Sequence, residues 1–259
     1  NPFATPLVFG APLVTPYDVV YDPTSGGYIV TDPGANALWV VSPFGGAELF
    51  VADPRFVDLR GIALDSAGTD VLVADRGANT IWRITRDGVV TVVHFGAPLF
   101  RPVDVSPVTG STLEFYVVDE GGPPPNPPPR VLRRTSATAW TVLAEGPPLV
   151  IPSAVREESG TSDLLVVDSS PGAVFLLQSP NISTIAGGPQ NTGVKDVVQD
   201  IFTDDYILAG GTNLWRVPRG TPAVIPIISG PPFVKLTGIT QDWSDGTYVV
   251  ADFDLAAIF

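Results

Sequence analysis

The sequence is built from a repeat of about 43 residues, and this repeat restricts the possible folds more than any other feature. Each copy begins with a short apolar segment, and the spacings between successive starts are 43, 43, 50, 42 and 42 residues. The starts are Asp18, Gly61, Asp104, Ala154, Asp196 and Gly238. A period of this length, filled with short strands between turn residues, is typical of the blades of a β-propeller.

Each copy continues with three more short strands. The second strand ends in an aspartate in five copies, whereas the fifth copy has Gly210 at this place. These aspartates are Asp32, Asp75, Asp119, Asp168 and Asp252. The third strand carries a large apolar residue at a constant position, namely Trp39, Trp82, Leu132, Phe175, Trp215 and Phe259. A fourth strand and a joint rich in Gly and Pro complete the copy.

The last copy stops after its third strand, and a match for its fourth strand lies at the start of the chain. Residues 7–16 (LVFGAPLVTP) resemble residues 93–102 (VHFGAPLFRP), which end the second copy. We therefore expect residues 1–15 to supply the outer strand of the last blade and to close the ring. The sequence predicts one all-β domain over residues 1–259, a six-bladed β-propeller whose four-stranded blades start near residues 16, 59, 102, 152, 194 and 236.

Composition excludes several classes of partner and favours a location. The net charge is −13, with 27 acidic residues against 14 Lys and Arg, so we expect no nucleic-acid partner. No apolar run approaches the ~18 residues of a membrane span. The chain has no Cys and no Met and begins at Asn1, which favours a processed N-terminus and an extracellular or cell-surface location. A charged fraction of only 16% favours a surface that packs against a partner.

The start motif, the aspartate after the second strand and the aromatic third strand resemble the NHL-repeat and wider TolB-like six-bladed propellers. This resemblance covers nearly the whole chain and implies the fold. It does not by itself select a function, because the superfamily includes lactonases, lyases and binding platforms. For the gluconolactonase-like members of the superfamily, the resemblance implies a metal ion held by Asn, Asp or Glu side chains that lie just before the first strand of a blade. Here those positions hold Tyr17, Arg60, Val103, Ser153, Lys195 and Thr237. Since none is a carboxylate or an amide, we predict no metal site, no cofactor and no catalytic residue.

The candidate binding residues lie where the first strands begin, at the mouth of the axial channel. They are Tyr17, Asp18, Arg60, Asp104, Ser153, Lys195 and Asp196. The three aspartates alternate with small residues around the ring. They could bind a cation or a polar ligand, or they could pair with Arg60, Lys195 and nearby backbone N–H groups, and we favour this second role.

The other repeated residues are interpreted as structural. We expect the aspartates that end the second strands to accept backbone N–H bonds at the turn into the third strand. The large apolar residues of the third strands are expected to pack between blades. The only histidine, His94, falls on an outer strand, far from the axis, and is not expected to be catalytic.

Two further features concern the surface. The third copy contains an insertion with six prolines, which predicts a stiff polyproline II spike beside the mouth, without internal hydrogen bonds and available to a partner. It comprises Pro123, Pro124, Pro125, Asn126, Pro127, Pro128 and Pro129. Asn181 begins an Asn-Ile-Ser sequence, which is a possible glycosylation site in an exported protein.

Together these observations favour a non-enzymatic binding platform, or a subunit of an extracellular assembly. Its partner would be a protein, a glycan or further copies of itself in an oligomer or filament. The alternative is a lactonase-like propeller hydrolase or lyase that uses the axial mouth. In that case Asp18, Asp104 and Asp196 would be acid/base groups or cation ligands, while Arg60, Lys195 or Tyr17 would orient an anionic substrate.

Overall fold

A computed structural model describes residues 4–187 and 193–259 and contains 24 strands in six antiparallel sheets of four. Blade 1 consists of β2 (Asp18–Asp22), β3 (Gly27–Asp32), β4 (Ala37–Val41) and β5 (Ala47–Ala52). Blade 2 consists of β6 (Leu59–Leu64), β7 (Val71–Asp75), β8 (Thr80–Ile84) and β9 (Val90–Phe95). Blade 3 consists of β10 (Pro102–Pro107), β11 (Phe115–Asp119), β12 (Arg130–Arg134) and β13 (Trp140–Glu145). Blade 4 consists of β14 (Pro152–Glu157), β15 (Leu164–Asp168), β16 (Ala173–Gln178) and β17 (Asn181–Ala186). Blade 5 consists of β18 (Val194–Gln199), β19 (Tyr206–Gly210), β20 (Asn213–Val217) and β21 (Ile225–Ser229). Blade 6 consists of β22 (Leu236–Gln241), β23 (Tyr248–Asp252), β24 (Ala257–Ile258) and β1 (Val8–Phe9).

The six sheets form a closed ring. Innermost strands of neighbouring blades contact one another all the way round, including β22 and β2 at the junction of the last and first blades. The N-terminal strand β1 pairs with β24 through Val8 opposite Ile258 and Phe9 opposite Ala257. The prediction of an all-β six-bladed propeller closed by the N-terminal strand is confirmed, although residues 1–3 of the expected segment lie outside the described residues. Within the described parts of the chain, no helix is long and apolar enough to cross a membrane.

The aspartates that end the second strands accept backbone N–H bonds, as expected, but their main partners lie elsewhere. In each of the five blades, both carboxylate oxygens accept N–H groups from the joint that leads into the first strand. For Asp32 the donors are Val14 and Thr15, at 2.8 and 2.9 Å. The same pattern holds at Asp75, Asp119, Asp168 and Asp252. Each carboxylate therefore ties a joint between blades to the end of the second strand.

Gly210 replaces this aspartate in blade 5 because the joint passes too close for a side chain. A Cβ on Gly210 would lie 2.3 Å from the carbonyl oxygen of Gly193. At the next joint, Leu236 at the start of β22 donates its N–H to the backbone oxygen of Gly211 at 2.7 Å.

The recurring apolar residue of the third strands packs between blades, as predicted. Trp82 of blade 2 is buried in one cluster with Ile29 and Leu38 of blade 1, and Phe175 of blade 4 is buried with Tyr116 of blade 3. His94 lies on the outer strand β9, where its Nε2 is 2.9 Å from the carbonyl oxygen of Ala97. Asn181 is exposed at the start of β17.

The prediction of a polyproline II spike without internal hydrogen bonds is wrong. The insertion folds back on itself, since Gly122 N–H donates to the Pro127 oxygen at 2.8 Å and Asn126 N–H donates to the Pro123 oxygen at 3.0 Å. Proline cannot donate a backbone hydrogen bond, so the two non-proline residues supply the N–H groups that close the loop. Pro123, Pro124, Pro125 and Pro128 are exposed, and contact with a partner there stays a prediction.

Candidate functional site at the axial mouth

The residues that precede the six strand starts meet around one cavity of about 260 Å³ at the end of the channel. All six line it, namely Tyr17, Arg60, Val103, Ser153, Lys195 and Thr237. Each lies immediately before, or at the beginning of, the innermost strand of its blade, and the innermost strands surround the axis. Positions that are equivalent in the repeat are therefore neighbours around the ring.

The cavity also contains side chains that were not among the candidates. Arg76, Glu120, Ser169 and Phe253 each follow the aspartate that ends a second strand. Lys235 comes from the joint before β22. The repeat does contain a signal for the first four, because the loop after this aspartate lies on the same face as the strand starts.

The arginines at the mouth are held by carboxylates. Arg60 Nη2 lies 2.8 Å from Asp58 Oδ1, and Arg76 lies 3.1 Å from Asp58 and 2.9 Å from Glu120. Arg101 also pairs with Glu120, at 2.9 Å. These ion pairs connect blades 2 and 3 and position the guanidinium groups along one side of the cavity.

Lys195 differs from these arginines. No carboxylate of the described residues forms an ion pair with its amine, whereas Lys235 lies 3.5 Å from Asp254. Burial is the largest effect on the pKa of Lys195 and lowers it, and the positive charges of Arg60 and Lys235 act in the same direction. Glu120 and Asp168 oppose this shift. The amine is therefore easier to deprotonate than an exposed lysine.

Three buried polar atoms at this cavity have no hydrogen-bond partner among the described residues. They are Ser153 Oγ, Thr237 Oγ1 and Arg60 Nε. Ser153 is 6% exposed and Thr237 is 4% exposed. A buried polar group without a partner costs about 1–3 kcal/mol, so such groups point to a ligand or to bound water that completes them.

The order of the blades divides the cavity into two halves. Ser153, Lys195 and Thr237 belong to the successive blades 4, 5 and 6, so Lys195 comes between Ser153 and Thr237 around the ring. Arg60 belongs to blade 2, opposite blade 5 in a ring of six. Its guanidinium stacks on Tyr17, 4.4 Å from the ring centre. Burial raises the pKa of Tyr17 to about 12, so this phenol is protonated at neutral pH.

Below the mouth, the three aspartates of the strand starts converge on Arg156, which was not among the candidates. Its guanidinium donates to Asp104 from Nη1, and Nη2 lies 3.1 Å from Asp196 and 3.7 Å from Asp18. Arg156 lies two positions after Ala154 in β14, so it projects to the same side of the strand as Ala154. The aspartates thus pair with Arg156 and not with Arg60 or Lys195.

The same aspartates connect each odd blade to the next even blade. Asp18 accepts the N–H of Ile62 at 3.0 Å, and Asp104 and Asp196 accept the equivalent bonds from the N–H groups of Val155 and Ile239. Burial raises the pKa of Asp18 well above its usual value and that of Asp104 to about 6. The group is a structural ion cluster, because every carboxylate is buried and bonded within the ring.

A divalent metal does not fit either part of the channel. At the mouth the polar side chains are hydroxyls, two amines, two guanidinium groups and one carboxylate, that of Glu120, which pairs with Arg76 and Arg101, whereas a hard cation needs clustered carboxylate, carbonyl or amide oxygens. Below the mouth, the Arg156 guanidinium already lies among the three carboxylates. Among the described residues there is no group of three or more His, Cys, Asp or Glu side chains that could hold a metal ion.

Comparisons with known proteins show the fold. No protein-family model matches the chain, and no curated protein matches it. Many solved structures do. A protein provisionally assigned as a gluconolactonase has a TM-score of 0.77 and 16% identity, with 98% of this chain and 89% of that chain covered. A gluconolactonase from Xanthomonas campestris has a TM-score of 0.78 and 14% identity, with 98% and 86% covered. A chain of a nidogen/laminin complex has a TM-score of 0.60 and 16% identity, with 94% and 78% covered.

These comparisons correct the expected function. We expected a non-enzymatic platform that binds through shallow neutral surfaces, but two of the neighbours are described as gluconolactonases, which favours the alternative of a lactonase-like hydrolase. The mouth agrees better with that alternative, because it is a concave polar cavity with unpaired donors. At 14–16% identity the likeness shows the architecture alone. By its structure, the chain is a six-bladed β-propeller, the architecture that it shares with these solved structures.

Proposed function

We propose that the protein is a lactonase-like propeller hydrolase that cleaves an ester or lactone bond in the axial mouth. Lys195 is the base for the attacking water, and the hydroxyl groups of Ser153 and Thr237 bind the carbonyl oxygen of the substrate. The observation that carries this proposal is that one cavity is lined by a lysine without an ion pair and, on the neighbouring blades, by two buried hydroxyls without partners among the described residues.

Lys195 suits the role of base for two reasons. It lines the cavity without a carboxylate partner among the described residues, so its amine is available to a bound molecule. Its burial lowers the pKa, which increases the fraction of neutral amine near neutral pH. A general base works best when its pKa lies near the working pH.

The hydroxyls suit the role of electrophilic groups. Each can donate one hydrogen bond, and both are held by the beginnings of innermost strands, β14 and β22. Donors that are already in place where negative charge develops stabilise the transition state of acyl transfer without reorganising. The two hydroxyls on neighbouring sides of Lys195 provide such a pair.

The reaction balances with these groups and water. The neutral amine of Lys195 removes a proton from water as the water oxygen forms a bond to the carbonyl carbon. The resulting tetrahedral oxyanion is held by Ser153 and Thr237. When the bond to the leaving oxygen breaks, the ammonium of Lys195 returns the proton to that oxygen, so the products are a carboxylic acid and an alcohol.

Hydrolysis of a panel of aldonolactones and aryl esters, followed by pH-stat titration, tests the proposal. The wild-type protein should hydrolyse at least one member, and Lys195→Met should lower kcat by about 100-fold or more, the usual contribution of a general base. Lys195→Arg should be equally impaired, since a guanidinium stays protonated. Arg133→Met, which removes a cation outside the cavity, is the control and should keep kcat. A panel that the wild type does not cleave, or full activity of Lys195→Met, would contradict the proposal.

We also propose an extracellular location, supported by the sulfur-free composition and the exposed Asn181. Protein purified from its native source should appear in the exported or surface fraction. In a host with N-glycosylation, Asn181→Gln should lose the mass of one glycan. Recovery only in the intracellular fraction would contradict this location.

A further inference from the structure

The cations of this acidic protein are concentrated at the axial mouth. Both of its lysines, Lys195 and Lys235, line the cavity together with Arg60 and Arg76. Arg101 is connected to this group by its ion pair with Glu120. Five cationic side chains and four carboxylates therefore lie there: Asp58, Glu120 and Asp254 form ion pairs with the cations, and Asp168 acts on Lys195. With Lys195 protonated, this leaves an excess of one positive charge in a chain whose net charge is −13.

Such a concentration requires an explanation, because like charges at a partly buried mouth repel one another. Burial lowers the pKa of Lys195, the positive charges of Arg60 and Lys235 act in the same direction, and Glu120 and Asp168 oppose them. A concave site lined by one sign of charge attracts ligands of the opposite sign. An anionic ligand would offset this repulsion.

Arg60 provides the specific contact. Asp58 binds its guanidinium at Nη2, and the ring of Tyr17 supports its face, so the group is held in place. The Nε–H is buried and has no acceptor among the described residues. A planar guanidinium with a free N–H matches a carboxylate oxygen better than it matches a neutral carbonyl.

The position of Arg60 separates this contact from the proposed reaction. It belongs to blade 2, whereas Ser153, Lys195 and Thr237 belong to blades 4, 5 and 6. A substrate that engages both sides has its scissile carbonyl near Lys195 and a second group near Arg60. We infer that the substrate is an ester or lactone that carries a free carboxylate, which Arg60 binds across the mouth from the scissile bond.

This inference rests on the proposed hydrolase function for the identity of the scissile bond, but the anion contact can be tested without turnover. Hydrolysis of such a substrate yields a product with two carboxylates. Succinate imitates this product, and succinamide has the same length without the charges. Calorimetric titration of the wild-type protein at low salt should show succinate binding at least about tenfold more tightly than succinamide, the usual effect of one charged hydrogen bond.

Variants identify the residue that makes the contact. Arg60→Gln should weaken succinate binding by about tenfold or more, and Arg60→Lys should recover part of it by keeping the charge. Arg133→Gln is the matched control, because Arg133 also pairs with a carboxylate, that of Glu114, but lies outside the mouth. It should bind succinate like the wild type. Thermal unfolding of each variant shows whether it is folded. If Arg60→Gln is not folded, the comparison of succinate with succinamide on the wild-type protein decides the question.

Three results would overturn the inference: equal binding of the two probes, no binding of either, or unchanged succinate binding by folded Arg60→Gln. The outcome also separates the two proposals. Succinate binding through Arg60 without hydrolysis of any lactone or ester would refute the hydrolase function and keep the anion site. Hydrolysis of neutral lactones without a preference for succinate would keep the function and refute the carboxylate-bearing substrate.

Discussion

Arg156 in blade 4 donates from its guanidinium to the carboxylate of Asp104 in blade 3, and this ion pair lies on the axis of the ring. The same guanidinium reaches Asp18 and Asp196, so one cation is shared by carboxylates from three blades. This arrangement closes the channel beneath the mouth and connects alternate blades. It also explains why the strand starts alternate between aspartate and a small residue.

Loss of the central cation should be strongly destabilising. Arg156→Met leaves three buried carboxylates without a counter-charge, and we expect the free energy of unfolding at pH 8 to fall by about 3–5 kcal/mol. The loss should be smaller at pH 5, where carboxyls of the cluster bind protons. Urea unfolding followed by tryptophan fluorescence measures both values. The control Arg133→Met removes an arginine from a more exposed pair and should cost far less; equal losses would contradict the central role of Arg156.

The cluster should also make stability depend on pH. The pKa of Asp104 is raised from 3.8 to about 6, so the folded protein binds more protons than the unfolded chain in this interval. Stability from this group is greatest at low pH and decreases as the pH rises through the interval. Asp18 acts in the same direction. Asp22 and Asp242 have lowered pKa values, so they change the stability only at more acidic pH.

We therefore expect the Tm of the wild-type protein to fall between pH 4.5 and pH 7 by more than that of Asp104→Asn. The asparagine cannot titrate, so its variant should have the flatter profile. Differential scanning calorimetry in buffers of constant ionic strength measures this difference. Parallel profiles for the two proteins would show that Asp104 is not the group responsible.

The small residues at the even strand starts should resist enlargement. A Cβ on Gly61 would lie 2.0 Å from Asp104 Oδ1 and 2.6 Å from its Cα, and a Cβ on Gly238 would meet Asp18 similarly. Gly61→Ala should lower the free energy of unfolding by about 1–3 kcal/mol through overpacking. Gly187→Ala, where the new methyl would make ordinary contacts of 3.4 Å or more, is the control. A neutral effect at Gly61 would mean that blades 2 and 3 can separate locally.

The aspartates that hold the joints should contribute through their backbone bonds. Asp75 accepts N–H groups of Val57 and Asp58 at 3.0 and 2.9 Å and the indole N–H of Trp82 at 3.2 Å. Asp75→Ala leaves these donors without their acceptor, so we expect a loss on the order of 3 kcal/mol. Chemical unfolding measures it, with the exposed Asp87→Ala as control. A loss as small as that of the control would contradict the proposed role of the Asp75 carboxylate in holding the joint.

The pH dependence of hydrolysis should follow Lys195. The neutral amine is the active form, so kcat/KM should rise with pH through the lowered pKa of Lys195. Glu120 raises this pKa, so Glu120→Gln should move the rising limb to lower pH. Initial rates across pH 6–10 with one cleaved lactone provide the measurement, and unfolding curves confirm that the variant is intact. A shift to higher pH would contradict the assignment of Lys195 as the base.

Much of the fold follows from the repeat, because each copy must place equivalent residues in equivalent positions. The match between residues 7–16 and 93–102 predicts the closing strand, and β1 pairs with β24 accordingly. The ring of residues before the strand starts was predicted in the same way, and all six line one cavity. Local periodicity is sufficient for such conclusions, since neighbouring blades repeat the same geometry.

The partners of individual charges could not be obtained from periodicity. Asp18 and Asp104 were expected to pair with Arg60, Lys195 and nearby backbone N–H groups. They do accept backbone N–H bonds, but their ion pairs are with Arg156, which no repeated position distinguishes. The proline insertion was expected to extend, yet backbone bonds from Gly122 and Asn126 close it. Both outcomes depend on groups brought close in space, which the order of residues does not reveal.

The sequence by itself therefore determined the six blades, the closure of the ring and the identity of six residues around the mouth, because these depend on a pattern repeated along the chain. Only the tertiary structure decided which charges neutralise one another, which donors are left without partners and how the mouth divides into two halves. Electrostatic and hydrogen-bond energies depend on distance and burial, and side chains from separate blades acquire those distances only when the ring is closed.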